Sequence, residues 1–248
     1  MGDRTGVWAW LELARVSNLP TVWSNALVGV ACAAWARGEA FGARAWAVWA
    51  GSAACLSCLY VAGMIHNDIC DAGVDARERP RRPIPSGRVS RKWAQVVCVA
   101  LVIVGIEGWW FGGPWAVCAA VALAFLALTY SKVHQHTAWS VLMLGGCRAL
   151  AVVTPALALR WWTWPPPTVA VVAGGVLGAY VVVVSLVARG EAAAPGDRRR
   201  VRVVVGMLCA ISAIDATWLV GLGMAGPAVA AVGCCALACW MQRRILGT

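Results

Sequence analysis

Apolar stretches long enough to cross a lipid bilayer recur along the whole 248-residue chain. We identify eight of them, at residues 19–36, 46–66, 93–111, 114–132, 137–159, 168–188, 201–222 and 224–241. Each is close to the roughly 20 residues that a helix needs to span a hydrocarbon core of about 30 Å. The sequence lacks the strand-like alternation of apolar and polar residues, which favours helices over a barrel. The chain is therefore predicted to be all-α, a polytopic transmembrane bundle of eight helices.

Composition and charge support a membrane location. Hydrophobic residues make up 61% of the chain and charged residues 13%, whereas charged residues approach a quarter of an ordinary soluble domain. All of the 21 Lys and Arg except Arg37, Arg44, Arg148 and Arg160 fall at one membrane face. The positive-inside rule assigns that face to the cytoplasm. The net charge of +10 is therefore attributed to topology and to anionic lipid, and nucleic acid is not an expected partner.

The spacing of the apolar stretches leaves no room for a second, soluble domain, so residues 1–248 are predicted to form one membrane domain. Two longer polar segments, 67–92 and 189–200, each follow the second helix of a four-helix set. We interpret residues 1–132 and 137–241 as two halves of an internal repeat, each with the same order of helices. Repeats of this kind often place a binding site at their interface, and we expect function at the face that carries the two polar segments.

Three carboxylates follow the second apolar stretch at spacings of three and four residues. Asp68, Asp71 and Asp75 share one face of a helix, because residues three, four and seven apart lie one above the other. Acids at a membrane surface are costly unless a cation needs them. Mg²⁺ suits such a cluster, since it accepts a few carboxylates, keeps some water and bridges to phosphate oxygens. We predict a magnesium site here, with helix capping and salt bridges to residues 77–82 as the alternative.

The motif formed by residues 67–75 and 82–87 resembles the first Asp-rich motif of the UbiA superfamily of intramembrane prenyltransferases. Weaker similarity covers residues 15–20, Asn25 and residues 130–132, and the compact connection inside the motif is similar to a bacterial EboC-like branch. The resemblance implies a bundle around a lipid-open cavity, capped by Asp-rich segments that hold Mg²⁺ and an isoprenyl diphosphate. It also implies a bacterial plasma-membrane protein whose active site faces the cytoplasm.

The resemblance further implies roles for individual residues. Metal ligation is implied for four residues: Asn67, Asp68, Asp71 and Asp75. Asp71 and Asp68 are the predicted catalytic residues, and Arg82 and Lys132 are predicted to contact diphosphate oxygens. Guanidinium forks match phosphate geometry. Metal and cationic side chains would neutralise the charge that builds on the diphosphate as the allylic C–O bond breaks.

The chain departs from the family pattern in two places. A second Asp-rich motif is expected around residues 185–200, where the sequence offers Glu191 and Asp197 without an Asp-x-x-x-Asp pattern. Either of these acids is a candidate for a single metal ligand; otherwise a second metal is weakly bound or absent. The ninth helix usual in the family is also missing. Both departures are compatible with a specialised substrate or with a non-catalytic member.

Polar residues inside the apolar stretches are further candidates. Asn18 and Asn25 lie seven residues apart on one face of the first helix and are predicted to line the cavity. Arg148 lies well inside its stretch, where an arginine is a functional candidate by default. We predict that it contacts the diphosphate, or that it pairs structurally with another helix. Asp215 has no sequence neighbour of opposite charge and is interpreted as protonated, hydrogen-bonded or cavity-lining.

Three functions fit these observations. The first is a Mg²⁺-dependent prenyltransferase that ionises an isoprenyl diphosphate and transfers the prenyl group to a lipophilic acceptor. An aromatic acceptor is one form of this hypothesis. The second is a UbiA-type terpene cyclase, in which the alkenes of the prenyl chain trap the cation and aromatic faces stabilise it. The third is a non-catalytic lipid-diphosphate binder or a transporter. The intact first acidic cluster and the lack of Gly/Pro-broken helix pairs argue against the third.

Overall fold

The chain forms a bundle of long helices joined by short connections, seen in a computed structural model. The structure describes residues 6–135, 137–160, 162–192 and 198–244, and at residues 190–192, 198 and 200 it describes the backbone only. Within these ranges all regular structure is helical, which confirms the predicted fold class. The described α-helices are α1 (Val7–Leu13), α2 (Leu19–Trp35), α3 (Ala43–Glu78), α4 (Arg91–Glu107), α5 (Pro114–Val133), α6 (Val141–Arg160), α7 (Thr168–Ala192), α8 (Arg198–Gly221) and α9 (Ala225–Arg244). Short 3₁₀ turns cover Val16–Asn18, Gly108–Gly112 and Ala138–Ser140.

Seven helices in the described ranges, α3 to α9, are long and apolar enough to cross a membrane. They coincide with seven of the eight predicted stretches, and their length and composition are those of an integral membrane protein. The remaining stretch is α2, whose 17 residues rise only about 25 Å. Of these residues, 14 are buried. This helix therefore lies in the centre of the bundle.

Helix α3 departs most from the sequence-based expectation. Residues 67–92 were predicted to form one polar connection, with a helical face only for the acids at 68, 71 and 75, but α3 runs without a break through this segment to Glu78. Its 36 residues rise about 54 Å, which exceeds a hydrocarbon core of about 30 Å. The last turns therefore project beyond the core, and they carry residues 67–75 as helix. Pro80 and Pro83 follow the helix end and prevent its continuation.

The central helices pack closely because small residues face each other. α2 contacts α3, α6, α8 and α9, and α6 contacts α7 and α5 as well. Between α6 and α7, a Cβ on Gly145 would lie 2.8 Å from the Gly178 carbonyl oxygen, and a Cβ on Gly178 would lie 2.7 Å from the Gly145 carbonyl oxygen. Only glycine permits this backbone approach at both positions.

Hydrogen bonds join different chain segments at each of the two ends of the bundle. At one end the Gln242 side chain donates to Asn18 Oδ1 at 2.6 Å, and Arg189 Nη2 donates to Ser140 Oγ at 2.6 Å. At the other end Arg44 donates to the Leu159 carbonyl oxygen at 3.1 Å. The first end also carries residues 67–75, and we call it the Asp-rich end.

Candidate active site

A cavity of about 670 Å³ extends from the Asp-rich end into the bundle. Its walls come from six helices, α2, α3, α5, α6, α7 and α8. The deeper walls are mainly apolar and include Val22, Leu56, Leu59, Leu123, Val181 and Leu208. Along α3, Leu56 and Asp71 are fifteen residues apart, which corresponds to about 22 Å. The cavity can therefore hold an elongated apolar chain that has a charged group at the Asp-rich end.

The three acids of the motif share one buried face of α3, as their spacing predicted. Asp68 is 5% exposed, Asp71 8% and Asp75 4%. Arg82 Nη1 donates to Asp75 Oδ2 at 2.8 Å and lies 3.4 Å from Asp68 Oδ1. Arg15 Nη2 lies 3.2 Å from the same Asp68 oxygen. Asp68 and Asp75 are thus paired with arginine. Salt bridges of this kind were the alternative to metal binding that the sequence left open. Neither acid is among the residues that line the cavity.

Asp71 has different surroundings and lines the cavity together with Asn67. Asn67 Nδ2 donates to Asp71 Oδ2 at 2.9 Å, and the Gln135 side chain donates to Oδ1. His134 Nε2 lies 3.4 Å from Asp71 Oδ2. The hydrogen bond to this carboxylate raises the pKa of His134 above its ordinary value, which favours the imidazolium form. Asp71 is the acid of the three that is placed to meet a ligand.

The oxygen atoms on this wall fit Mg²⁺ in part. Asn67 Oδ1 is buried and has no hydrogen-bond partner among the described residues, and the Asp71 carboxylate lies beside it. Across the described ranges, no group of three or more His, Cys, Asp or Glu side chains is arranged to hold a metal. A Mg²⁺ ion on this wall would take oxygen ligands from Asn67 and Asp71 and the rest from water and phosphate, which is a common arrangement for Mg²⁺.

Of three other predicted site residues, only Lys132 has a side chain that the structure describes. Asp197 lies outside the described residues, and only the backbone of Glu191, near the end of α7, is described. Lys132 is exposed and does not line the cavity. Its neighbours Tyr130 and Ser131 do line it, and the turn of the helix then directs Lys132 away. The prediction that Lys132 contacts the diphosphate does not fit this position.

Four arginines line the cavity near the Asp-rich end: Arg15, Arg79, Arg82 and Arg189. Sequence reasoning identified only Arg82 among them. They come from the segment before α2, the connection after α3, and α7, so tertiary structure brings them together. Asp68 and Asp75 offset part of this charge through Arg15 and Arg82, but four guanidinium groups beside three carboxylates still leave this part of the cavity net positive. A diphosphate can therefore bind guanidinium groups directly, in addition to any contact through a metal.

Arg15 has an uncommon backbone conformation. Its φ of 46° and ψ of 46° lie in the left-handed region, which few residues other than glycine adopt. Such strain is found most often at binding sites, where the surrounding structure over-determines it. The side chain lines the cavity and pairs with Asp68. Arg15 lies in residues 15–20, which show weaker resemblance to the family. That resemblance was the sequence feature from which a role for Arg15 could have been predicted.

A second polar cluster lies deep in the bundle around Arg148. Its Nη1 donates to Asn25 Oδ1 at 2.9 Å and to Thr21 Oγ1 at 3.1 Å, and its Cζ lies 6.0 Å from the centre of the Tyr60 ring. Asn25 also donates to Asp215 Oδ2 at 2.7 Å. Asp215 is therefore hydrogen-bonded, one of the alternatives that the sequence left open.

The position of this cluster corrects two predictions. Asn25 is fully buried and does not line the cavity, whereas Asn18 does. Tyr60, beside Arg148, precedes Asp71 by eleven residues on α3, about 16 Å along the helix axis. Because its bonds to α2 hold the guanidinium at this depth, Arg148 is not placed to bind a diphosphate at the Asp-rich end.

Curated proteins of known activity are similar to parts of this chain. The digeranylgeranylglyceryl phosphate synthase of Methanopyrus kandleri is 40% identical over 131 residues, which are 52% of this chain and 42% of the relative. The bacteriochlorophyll synthase 33 kDa chain of Rhodobacter capsulatus is 32% identical over 130 residues, which are 50% of this chain and 34% of the relative. The chain therefore spans less than half the length of these curated relatives.

Solved structures share the fold. A UbiA homolog from Archaeoglobus fulgidus, bound to GPP and Mg²⁺, superposes with a TM-score of 0.56 at 14% identity, covering 95% of this chain and 87% of the homolog. A structure from work on digeranylgeranylglyceryl phosphate synthase in membranes gives a TM-score of 0.59 at 15% identity, covering 96% and 95% of the two chains. The sequence profile of the UbiA prenyltransferase family matches residues 22–248. By this match, which extends over most of its length, the chain belongs to the UbiA prenyltransferase family.

Proposed function

We propose that this protein is a prenyltransferase that ionises an isoprenyl diphosphate in a Mg²⁺-dependent reaction and transfers the prenyl group to a lipophilic acceptor. The observation that carries the proposal is the division of one cavity into an arginine-lined part and an apolar interior. Such a cavity suits a molecule with a strongly anionic head and a long hydrocarbon tail. The GPP and Mg²⁺ bound to the Archaeoglobus fulgidus homolog add support.

In the proposed reaction the four arginines bind the diphosphate. As the allylic C–O bond breaks, both electrons of that bond leave with the diphosphate. The guanidinium groups stabilise the growing negative charge, because their N–H groups can donate to the phosphate oxygens on which it develops. The nucleophilic atom of the acceptor forms a new bond to the allylic carbon and loses a proton. The products are then the prenylated acceptor, diphosphate and a proton.

Asn67 and Asp71 are the residues that we propose to hold Mg²⁺. When bound, the ion would neutralise phosphate charge and make diphosphate a better leaving group. Asp68 and Asp75 remain predicted ligands for the state in which Arg15 and Arg82 turn toward the diphosphate. Glu191 and Asp197, which were predicted as ligands of a second ion, remain predictions that concern side chains outside the described part of the chain.

We place the Asp-rich end in the cytoplasm of a bacterial cell and the bundle in its plasma membrane. The distribution of Lys and Arg supports this orientation, because the opposite end holds only Arg37, Arg44 and Arg160. The substrate would then enter from the side where soluble diphosphates are made, and the lipid bilayer would supply or receive the apolar partner.

Terpene cyclisation is the weaker alternative. A cyclase needs aromatic faces to stabilise a travelling carbocation, and the aromatic rings that line the described cavity are those of Tyr60, Tyr130 and His134, with no Trp among them. The guanidinium of Arg148 also lies in the cavity, where it would repel a carbocation. The cavity therefore favours capture of the allylic cation by a separate acceptor.

The test is product analysis with the full chain in lipid nanodiscs. Prenyl diphosphates of about ten to 25 carbons are supplied with Mg²⁺, with and without a lipophilic acceptor, and released diphosphate and organic products are measured. Asp71→Asn should reduce diphosphate release by about a hundredfold or more. Glu39→Gln, at the opposite end where Glu39 pairs with Arg37 at 2.6 Å, is the matched control and should retain the rate.

The outcomes separate the three functions. Prenylated acceptor that forms only when acceptor is added supports the proposal. Cyclic hydrocarbon or terpene alcohol without acceptor would indicate a cyclase, and ligand-dependent stabilisation without turnover would indicate a binder or transporter. An Asp71→Asn protein with full activity would refute the role of this carboxylate.

A further inference from the structure

We propose that the outer surface of the bundle carries a site for an anionic phospholipid, in a groove between α4 and α5 at the Asp-rich end. Arg91, at the start of α4, and Lys132, near the end of α5, would bind the lipid phosphate. Neither residue lines the cavity, so this site is separate from the proposed active site.

The groove lies where α4 and α5, which both pack against α3, move apart. Ile106 of α4 packs against the cluster that contains Ala116 and Ala120 of α5. Gln95 and Arg91 lie on the same side of α4 as Ile106, because eleven and fifteen residues are close to three and four full turns. Both of these side chains are exposed. The side of α4 that faces α5 at one end is therefore uncovered at the Asp-rich end.

Helix α3 forms the floor of the groove. Ile69 packs in a cluster with residues of α4, whereas a Cβ on Gly63 would lie 3.5 Å from the Ala127 side chain of α5. His66 and Cys70 lie between these two sides of α3. Cys70 is exposed and His66 is partly exposed. This strip of α3 is thus left open between the two neighbouring helices.

Two cations lie beside this floor. The charges of Lys132 and Arg91 both act on the Cys70 thiol. Arg91 Nη2 donates to the Ile69 carbonyl oxygen at 3.3 Å, which holds the guanidinium against α3. Among the described residues, neither cation pairs with a carboxylate. The Asp71 carboxylate, which also acts on Cys70, lines the cavity. A phosphate in the groove would therefore meet two positive charges that have no anionic partner in the described part of the chain.

The depth of the groove and its walls favour a lipid. His66 and Cys70 lie about 35 and 40 Å along α3 from Ala43, beyond a hydrocarbon core of about 30 Å and within the headgroup region. Deeper in the groove the walls are apolar. Val99 lies eight residues after Arg91, Val121 lies eleven residues before Lys132, and both valines are exposed. Acyl chains can cover these side chains, whereas a free phosphate cannot.

Phosphatidylglycerol and phosphatidylcholine with the same oleoyl chains are the matched probes, because both have a phosphate but only the first has a net negative charge. The delipidated full chain is titrated with each lipid in an uncharged detergent, and the first bound lipid is measured by native mass spectrometry. Wild-type protein should prefer phosphatidylglycerol by about 25-fold, since each basic residue near the phosphate contributes about fivefold. Glycerol 3-phosphate, the free-phosphate probe, should not displace the lipid at equal concentration.

Arg91→Gln and Lys132→Gln should each reduce the preference about fivefold, and the double variant should bind both lipids equally. Arg243→Gln combined with Arg244→Gln is the matched control. It removes the same charge from two exposed positions at the same end of the bundle, in the last turn of α9, and should keep the preference. A melting temperature in detergent close to that of the wild type shows that each variant is folded.

A second measurement locates the bound lipid. Phosphatidylglycerol should slow the alkylation of Cys70 by N-ethylmaleimide more than phosphatidylcholine does, because Cys70 lies on the floor of the groove. The rate is measured by mass spectrometry of the peptide that contains Cys70.

Four results would overturn the inference. They are equal binding of the two lipids by the wild-type protein, a preference that the Arg91 and Lys132 double variant keeps or that the control variant loses to the same extent, displacement of the lipid by glycerol 3-phosphate, and alkylation of Cys70 that is the same with both lipids. Each readout is independent of prenyl transfer, so the outcome does not depend on the proposed function.

Discussion

Arg82 is the residue whose replacement tests most directly how the buried acids are held. Its Nη1 donates to Asp75 Oδ2 at 2.8 Å and lies 3.4 Å from Asp68 Oδ1. The Asp75 carboxylate has no other partner in the described part of the chain, and the residue is 4% exposed. Asp68 keeps Arg15 at 3.2 Å. Arg82→Gln therefore leaves one buried carboxylate unpaired and weakens the pairing of a second.

The expected loss can be worked out from these contacts. Removal of one partner of a buried ion pair costs about 3–5 kcal/mol, and the lower end applies because the Arg82 side chain is 15% exposed. At about 2–4 °C per kcal/mol for a chain of this size, a cost of about 3 kcal/mol lowers the melting temperature by about 6–12 °C. Asp75→Asn should cost about 1 kcal/mol, or about 2–4 °C, because Arg82 keeps Asp68 as a partner. The double variant, Arg82→Gln with Asp75→Asn, should lower the melting temperature by less than the sum of the two single losses. The reason is that residue 75 is then uncharged, so the loss of Arg82 no longer leaves a buried carboxylate unpaired there.

The assay is thermal unfolding of the purified full chain in one detergent, without Mg²⁺ and at one scan rate, since such transitions are commonly irreversible. Arg81→Gln is the control. Its side chain is exposed one residue away, and its loss should change the melting temperature by no more than about 2 °C. If the shifts of the two single variants simply add in the double variant, Arg82 and Asp75 do not interact and the reasoning fails.

Two further predictions concern packing and cavity length. Gly178→Ala should lower the melting temperature by several degrees, because its Cβ would lie 2.7 Å from the Gly145 carbonyl oxygen. Gly175→Ala on the same helix, with nothing within 4 Å of the new Cβ, should be neutral, and equal losses in both variants would contradict the argument. Gly63 lines the cavity and faces Ala127, since a Cβ added to this glycine would lie 3.5 Å from the Ala127 Cβ. Gly63→Phe should therefore shorten the longest prenyl diphosphate that reacts, as measured by product analysis. Gly63→Ala is its control, and an unchanged chain-length limit in Gly63→Phe would refute the prediction.

The membrane spans could be predicted because the apolar stretches are a local property of the sequence. Residues 168–188 and 201–222 fall within or almost within α7 and α8, for example. The continuation of α3 to Glu78 could not be predicted in the same way. Its last turns bury three carboxylates beside Ile69, and two of these carboxylates are paired with Arg15 and Arg82 from other segments. The interpretation of the chain as two repeated halves stays a prediction, as does its assignment to an EboC-like branch.

Within the site, the part that could be predicted is the part that one helix carries. The spacing of Asp68, Asp71 and Asp75 correctly placed them on one face of α3. It could not show that Asp71 alone lines the cavity, because that depends on which acids arginines from other segments reach. His134 and Gln135, which contact Asp71, follow shortly after the segment of weaker resemblance at residues 130–132. A search one turn beyond that segment would have found them.

The arrangement of charges suggests why two of the three acids are buried away from the cavity. Arginine side chains are long and lose considerable rotamer entropy when a ligand orders them. Asp68 and Asp75 already hold Arg15 and Arg82 at the cavity wall, so part of that ordering takes place on folding. In the proposed reaction a diphosphate would draw the two guanidinium groups toward itself and release the two carboxylates for Mg²⁺. Because each ligand then favours the arrangement that the other binds, diphosphate and Mg²⁺ would strengthen each other's binding by the same factor.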